Sequence, residues 1–190
     1  VDTYGTLPTD YSNTHPEWLL DCGGTVILNP GMPEVRQRIV DVVIDILSKY
    51  DVDGIVFDDY FYPNGGMTDA KDQAQYDAYN PDNLERGDWR RHQVNLMVKD
   101  VHDAIKARKP WVRFGMGTFG IWSTQQSAAD AYGISLPDGI YGLDDYDVQA
   151  CNPVEWVKHG YVDYINPQLY WSTNVAAQDY KVLCKWWAKD

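Results

Sequence analysis

Apolar positions in this chain recur with two periods, and the two alternate along its length. From 33 to 49 they fall at Val35, Ile39, Val42, Val43, Ile46 and Leu47, the stripe of an amphipathic helix, with Pro33 at its first position where a missing N–H costs nothing. A second helical stripe spans 89–109 through Val94, Met97, Val98, Val101 and Ile105, and ends in Lys106, Arg108 and Lys109, which suit the negative end of the helix dipole. Short apolar runs lie between these stripes. Strands are predicted at 25–29, 54–59, 112–117 and 162–168. Asn152-Pro153-Val154-Glu155 opens a further short helix with a cap, a proline and an acid three residues on, and a last helix is expected over 174–188. Strand and helix thus alternate four times, the rhythm of a parallel α/β sheet.

The strand at 54–59 says most. Ile55-Val56-Phe57 ends in Asp58 and Asp59, followed by Tyr60, Phe61 and Tyr62. Helix, tight turn, buried strand, then acids at the strand's C-terminal end is the layout of a TIM-type (β/α)8 barrel enzyme, whose chemistry sits at that end. Four βα units make half of such a barrel, which typically needs about 250 residues. The expected domain is therefore a single partial barrel over 1–190, with upstream strands and the last strand missing, or a small open sheet. A half barrel leaves strand edges unpaired, so self-association through them is expected.

Side chains alternate along a strand, so Asp58 and Asp59 point opposite ways. Asp58 shares parity with Val56 and Tyr60 and is favoured as the inward group. Glu34 and Glu155 have helix-start positions, and neither Glu17 nor Glu85 ends a strand, which leaves strand-end carboxylate chemistry to aspartates. Asp53 and Asp163 precede their strands and belong to the opposite, stabilising face. Asn166, Gln168 and Tyr170 share parity near the fourth strand's end, as a hydroxyl-binding site needs; a buried polar network is the bland alternative. Trp122 and Trp171 each follow a strand, where a flat ring can stack on a sugar. Trp89-Arg90-Arg91 starts a helix, where cations oppose the dipole; the conflict hints at a carboxylate across the cleft as partner for Arg90 and Arg91, with a solvated pair as the alternative. The loop from Tyr60 to about Gly87 is long enough to expect a function.

Composition narrows the partners. The 190 residues carry 16 basic and 28 acidic side chains, a net charge of −12, which argues against a nucleic-acid backbone and leaves neutral sugars unaffected. No run of about 18 apolar residues predicts a transmembrane helix. The N-terminus, Val-Asp-Thr-Tyr-Gly, has no basic start or apolar segment, so no signal segment is expected in this chain, and a removed one would leave none. Cys22, Cys151 and Cys184 are widely spaced and read as three buried thiols. His15, His92, His102 and His159 lack metal spacing, so no metal is expected, and neither a phosphate loop nor a GxSxG elbow calls for a cofactor or a serine nucleophile; Gly115-Met116-Gly117 is too short for the former.

Five ordered motifs carry a resemblance: 29–36 (NPGMPEVR), 50–63 (YDVDGIVFDDYFYP), 88–91 (DWRR), 119–122 (FGIW) and 163–171 (DYINPQLYW). Together they resemble the bacterial glycosyl hydrolase-like 10 family from about residue 14 onward. The resemblance implies a (β/α)8 barrel, an exported cell-envelope or secreted location, and a glycosidase acting on a polysaccharide, including peptidoglycan glycan strands stripped of peptides. It implies Asp58 and Asp59 as catalytic acids, with Asn166, Gln168, Tyr170 and Trp171 lining the cleft. Tyr60, Tyr62, Arg90, Arg91 and Trp122 complete the candidate substrate-binding set. The family commonly has His where Val56 stands. Val56, and the lack of a second strand-end acid in this chain, leave open a carbohydrate-binding barrel without catalysis or an inactive piece of a larger glycosidase.

Overall fold

The computed structural model describes residues 7–58 and 61–189. Its centre is a three-stranded parallel sheet in the order β3 (Gly54–Asp58), β4 (Arg113–Gly117), β5 (Tyr164–Ile165). Two long helices, α2 (Pro33–Lys49) and α4 (Arg86–Arg108), pack on each other beside it. Short helices fill the connections: α1 (Tyr11–Thr14), α3 (Gln73–Ala78), α5 (Gln126–Tyr132), α6 (Asp145–Val148) and α7 (Pro153–His159), with α8 (Tyr180–Lys189) last.

The predicted first strand does not join this sheet. Residues 26–28 form β2 (Val26–Leu28), paired antiparallel with β1 (Leu19–Asp21). Gly23 and Gly24, both at positive φ, close the turn, a conformation that a side chain would strain. The expected four βα units therefore become three parallel strands plus a hairpin. Loop backbone packs directly on that hairpin: a Cβ at Gly66 would fall 1.7 Å from the Cys22 carbonyl oxygen.

The sheet has two unlike faces. Ile55, Phe57, Phe114 and Met116 pack into one cluster with Val94, Met97, Val98 and Val101 of α4. Val56, 57% exposed, and Asp58 look the other way. The alternation read from the sequence thus sorts β3 into a helix-facing and an open side. β5 is shorter than the predicted 162–168. Beyond it, Asn166 and Gln168 still donate backbone N–H groups to Met116 and Thr118, and Gln168 bridges Phe119. The last helix begins later than 174, because the Asp179 side chain accepts from the Lys181 and Val182 N–H groups and caps it. Of the three cysteines, Cys22 and Cys151 are buried, whereas Cys184 on α8 is exposed, against the expectation of a buried thiol.

At the other end of the sheet, Asp163 accepts from Lys106 Nζ at 2.7 Å and from the Phe114 N–H at 2.6 Å. Its partial burial alone would raise its carboxyl; the Lys106 and Phe114 bonds outweigh this and hold it below the usual carboxylate range. A carboxyl lowered in the fold stabilises fully above its unfolded value, 3.8, and that contribution disappears as pH falls through the lower folded value. Asp163→Asn is expected to cost about 1–2 kcal/mol at pH 7 and much less in strong acid. Urea titrations at both pH values check this; an equal loss at both would show that charge is not the cause.

Candidate functional site

Asp58 ends β3 on the open face of the sheet, exposed. In register beside it on β4 stands Gly117, as Gly115 stands beside Val56. Gln168, 110 residues further along, donates from Nε2 to Asp58 Oδ1 at 2.6 Å and toward the Gly117 carbonyl at 3.3 Å. A Cβ on Gly117 would stand in ordinary contact with Asp58 Oδ1, at 3.4 Å. Asp59 and Tyr60 lie outside the described residues.

Gly115 seats an aromatic ring. Its register partner on β5 is Tyr164, and a Cβ at Gly115 would come within 2.2 Å of the Tyr164 ring. Gly115 and Gly117 are too short a motif for a phosphate loop. Their meaning is a close approach on the open face, the usual message of glycine inside a strand. Gly115→Ala is expected to push the Tyr164 ring aside at a cost of about 1–3 kcal/mol while the sheet survives. A crystal structure of the variant checks the displacement; an unmoved ring would refute it.

The remaining candidate residues separate into distinct places. Asn166 and Tyr170, the latter 85% exposed, line a shallow groove with Tyr180 and Trp187. Trp171 lies over Gly120, its ring edge-on to Phe119 at 5.5 Å. Trp122 is in the core instead of at a cleft: it is 2% exposed, stacked on Trp186 at 5.9 Å, and its indole N–H is taken by Asn152. The chain after β4 turns inward here, because α5 and α8 offer an apolar second core that can hold so large a ring.

Tyr62, Arg90 and Arg91 come together with Asn64, Asp147 and Ala150 around a cavity of about 190 Å³. Tyr62 is 1% exposed, and burial, with Asp72 beside it, pushes its hydroxyl well above the usual tyrosine range. The helix that carries the arginines starts at Arg86, earlier than predicted, so Arg90 and Arg91 stand in its second turn. Their carboxylate partners are local. Arg90 donates to Asp72 from Nε at 2.7 Å and from Nη2 at 2.9 Å, and also to Asp69. Arg91 donates to Asp88 and to the Tyr146 carbonyl, and its guanidinium lies over the Tyr146 ring. Asp147 faces Arg91 at 3.7 Å; burial and then Asp144 push its carboxyl above the usual range. Asp72 carries no signal in the sequence: it sits in an unpatterned polar loop, and nothing in its spacing ties it to α4. Among the described residues, no three His, Cys, Asp or Glu side chains converge as a metal site would need.

Residues 3–190 match the family described as glycosyl hydrolase-like 10. The chain belongs to that family. Two curated relatives agree: it is 38% identical over 178 residues, 93% of its length, to the glycosyl hydrolase YngK of Bacillus subtilis, and 34% identical over 186 residues, 98% of its length, to the glycosyl hydrolase DigH of Escherichia coli. It spans 34% of the length of the first and 41% of the second. As a glycosyl hydrolase-like 10 sequence, it is an α/β chain with a parallel sheet whose open face carries Asp58.

Proposed function

We propose that this protein is a glycoside hydrolase that cleaves O-glycosidic bonds of a polysaccharide, with Asp58 and Asp59 as its strand-end carboxylates. One observation carries the reading: in a chain of a glycosyl hydrolase-like family, Asp58 stands exposed at the C-terminal end of a parallel strand, tied to Gln168 in the segment that follows β5. A carboxylate so placed acts as nucleophile, base or stabiliser of an oxocarbenium-like transition state; a second carboxyl supplies the proton to the leaving oxygen. The substrate we infer is amino-sugar rich, with peptide-free peptidoglycan strands first among those to be tried, and the location extracytoplasmic. No described helix is long and apolar enough to cross a membrane.

The same reading takes residues 1–190 as one partial (β/α) barrel domain. Two features support it. The helices α2 and α4 cover one face of the sheet and leave the other open, the inside and outside of a barrel. Both sheet edges are also unpaired among the described residues, and each is flanked by an apolar groove, of about 490 Å³ beside β3 and about 510 Å³ beside β5. Edges of this kind accept further strands, or a second copy in self-association.

A carbohydrate-binding role without catalysis is favoured by Val56, an apolar side chain on the open face two residues before Asp58. Incubation of the protein with purified glycans, followed by assay of new reducing ends, decides between the two. Cleavage supports the hydrolase. Calorimetric binding with no new reducing ends would replace it with the binding module.

A further inference from the structure

We propose that Gln168 is the positioning residue of Asp58, orienting its carboxylate and fixing Oδ1 as a hydrogen-bond acceptor; this rests on the reading of Asp58 as the reactive carboxylate. The backbone of Gln168 is first pinned to the segment just past β4: its N–H donates to the Thr118 carbonyl at 2.9 Å, and it bridges Phe119. From that anchor its amide reaches across β4 to β3, meeting the Gly117 carbonyl at 3.3 Å and Asp58 Oδ1 at 2.6 Å with one atom.

The identity of that atom follows from chemistry. An amide can present either its oxygen or its nitrogen, and the two look alike in shape. The Gly117 carbonyl can only accept. An amide oxygen set between it and Asp58 would face two acceptors, whereas nitrogen has two hydrogens to give. The Gly117 carbonyl therefore reads the orientation of Gln168, and Gln168 in turn dictates that Asp58 Oδ1 accepts. Hydrogen bonds to a charged acceptor are shorter and stronger than neutral ones, in keeping with 2.6 Å. Gly117 lies beside both groups: a Cβ there would stand in ordinary contact, 3.4 Å from Asp58 Oδ1 and 3.9 Å from Gln168 Nε2. The tie limits the rotation of the Asp58 carboxylate before substrate arrives.

Two measurements test the assignment. In proton–nitrogen NMR spectra of the chain, the Gln168 side-chain amide is identified by its loss in Gln168→Leu. One of its protons is expected downfield and protected from exchange in the wild-type chain, and returned to the position of a free amide in Asp58→Ala. Wild-type amide protons that behave like those of a solvent-exposed glutamine would overturn the proposal. In glycan hydrolysis, Gln168→Leu is expected to lower kcat about 100-fold with KM little changed. Gln168→Glu keeps the shape but replaces the donor by an acceptor, so it is expected to be no better than Gln168→Leu. A glutamate variant as active as wild type would show that Gln168 only fills space, and would overturn the positioning role while leaving the hydrolase reading intact. Wild-type protein that shows the NMR signature but releases no reducing ends would overturn the hydrolase reading and the positioning role with it, the intact signature telling that failure from a wrong geometry.

Discussion

Asp58→Asn is expected to lower glycan turnover by a factor of about 10³ or more, the scale seen when a group that acts on the reacting atoms is removed. The substitution is close to isosteric. Its amide oxygen can still accept from Gln168, so the contact at 2.6 Å has a substitute and the sheet is left alone. Because Asp58 is exposed, the change in stability should stay within about 0.5 kcal/mol, the usual range for surface substitutions. The prediction is thus a loss of rate without a loss of fold, read by a reducing-end assay beside a thermal melt. Asp59→Asn, made separately, divides the burden between the two acids. Full activity in both variants would remove the pair from the mechanism.

The second large effect concerns stability. Asp72 is fully buried and receives Arg86 Nη1 at 2.9 Å together with two bonds from Arg90. Asp72→Ala takes the buried carboxylate from two largely buried guanidiniums, which keep only the exposed Asp69 as an acidic partner. Breaking a buried pair from one side costs up to about 3–5 kcal/mol, because the remaining charge loses its compensation where water reaches it poorly. The loss should be local in origin, since Asp72 precedes α3 and ties its loop to α4 beside Tyr62. Lys49→Ala provides the contrast: its pair with Asp45 is 2.7 Å long but exposed on both sides, and removing it should change stability by less than about 0.5 kcal/mol. Urea unfolding of the two variants measures the difference; similar losses would mean that burial is not what gives the Asp72 cluster its weight.

Much of the frame was open to reading from the residues alone, because local rules governed it. The helix predicted over 33–49 is α2, Pro33–Lys49, since one stripe of apolar side chains and a proline at the first position leave little choice of register. The facing of Asp58 followed from the period of two along a strand. The placing of Asp163 at the end of the sheet away from Asp58 followed from its position ahead of its strand; its partner Lys106 did not. Other features depend on what the chain meets after it has folded. Residues 26–28 are a strand by pattern, but their partner is Leu19–Asp21, which no pattern announced. Trp122 carries the same ring whether it stacks on a sugar or on Trp186, and only the packing of α5 and α8 decides for the core.

The sequence by itself determined the family, the alternation of strands and helices, and which side of β3 carries the acid. These depend on spacing between near neighbours, where backbone geometry translates residue order directly into direction. Only the tertiary structure decided that Gln168 and Gly117 enclose Asp58, that Arg90 answers to Asp72, and that Gly115 makes room for Tyr164. Those contacts join residues 18 to 110 positions apart. A hydrogen bond or a close approach over such a separation is set by how strands stack and helices pack, and a side chain's own chemistry allows many partners until that packing selects one.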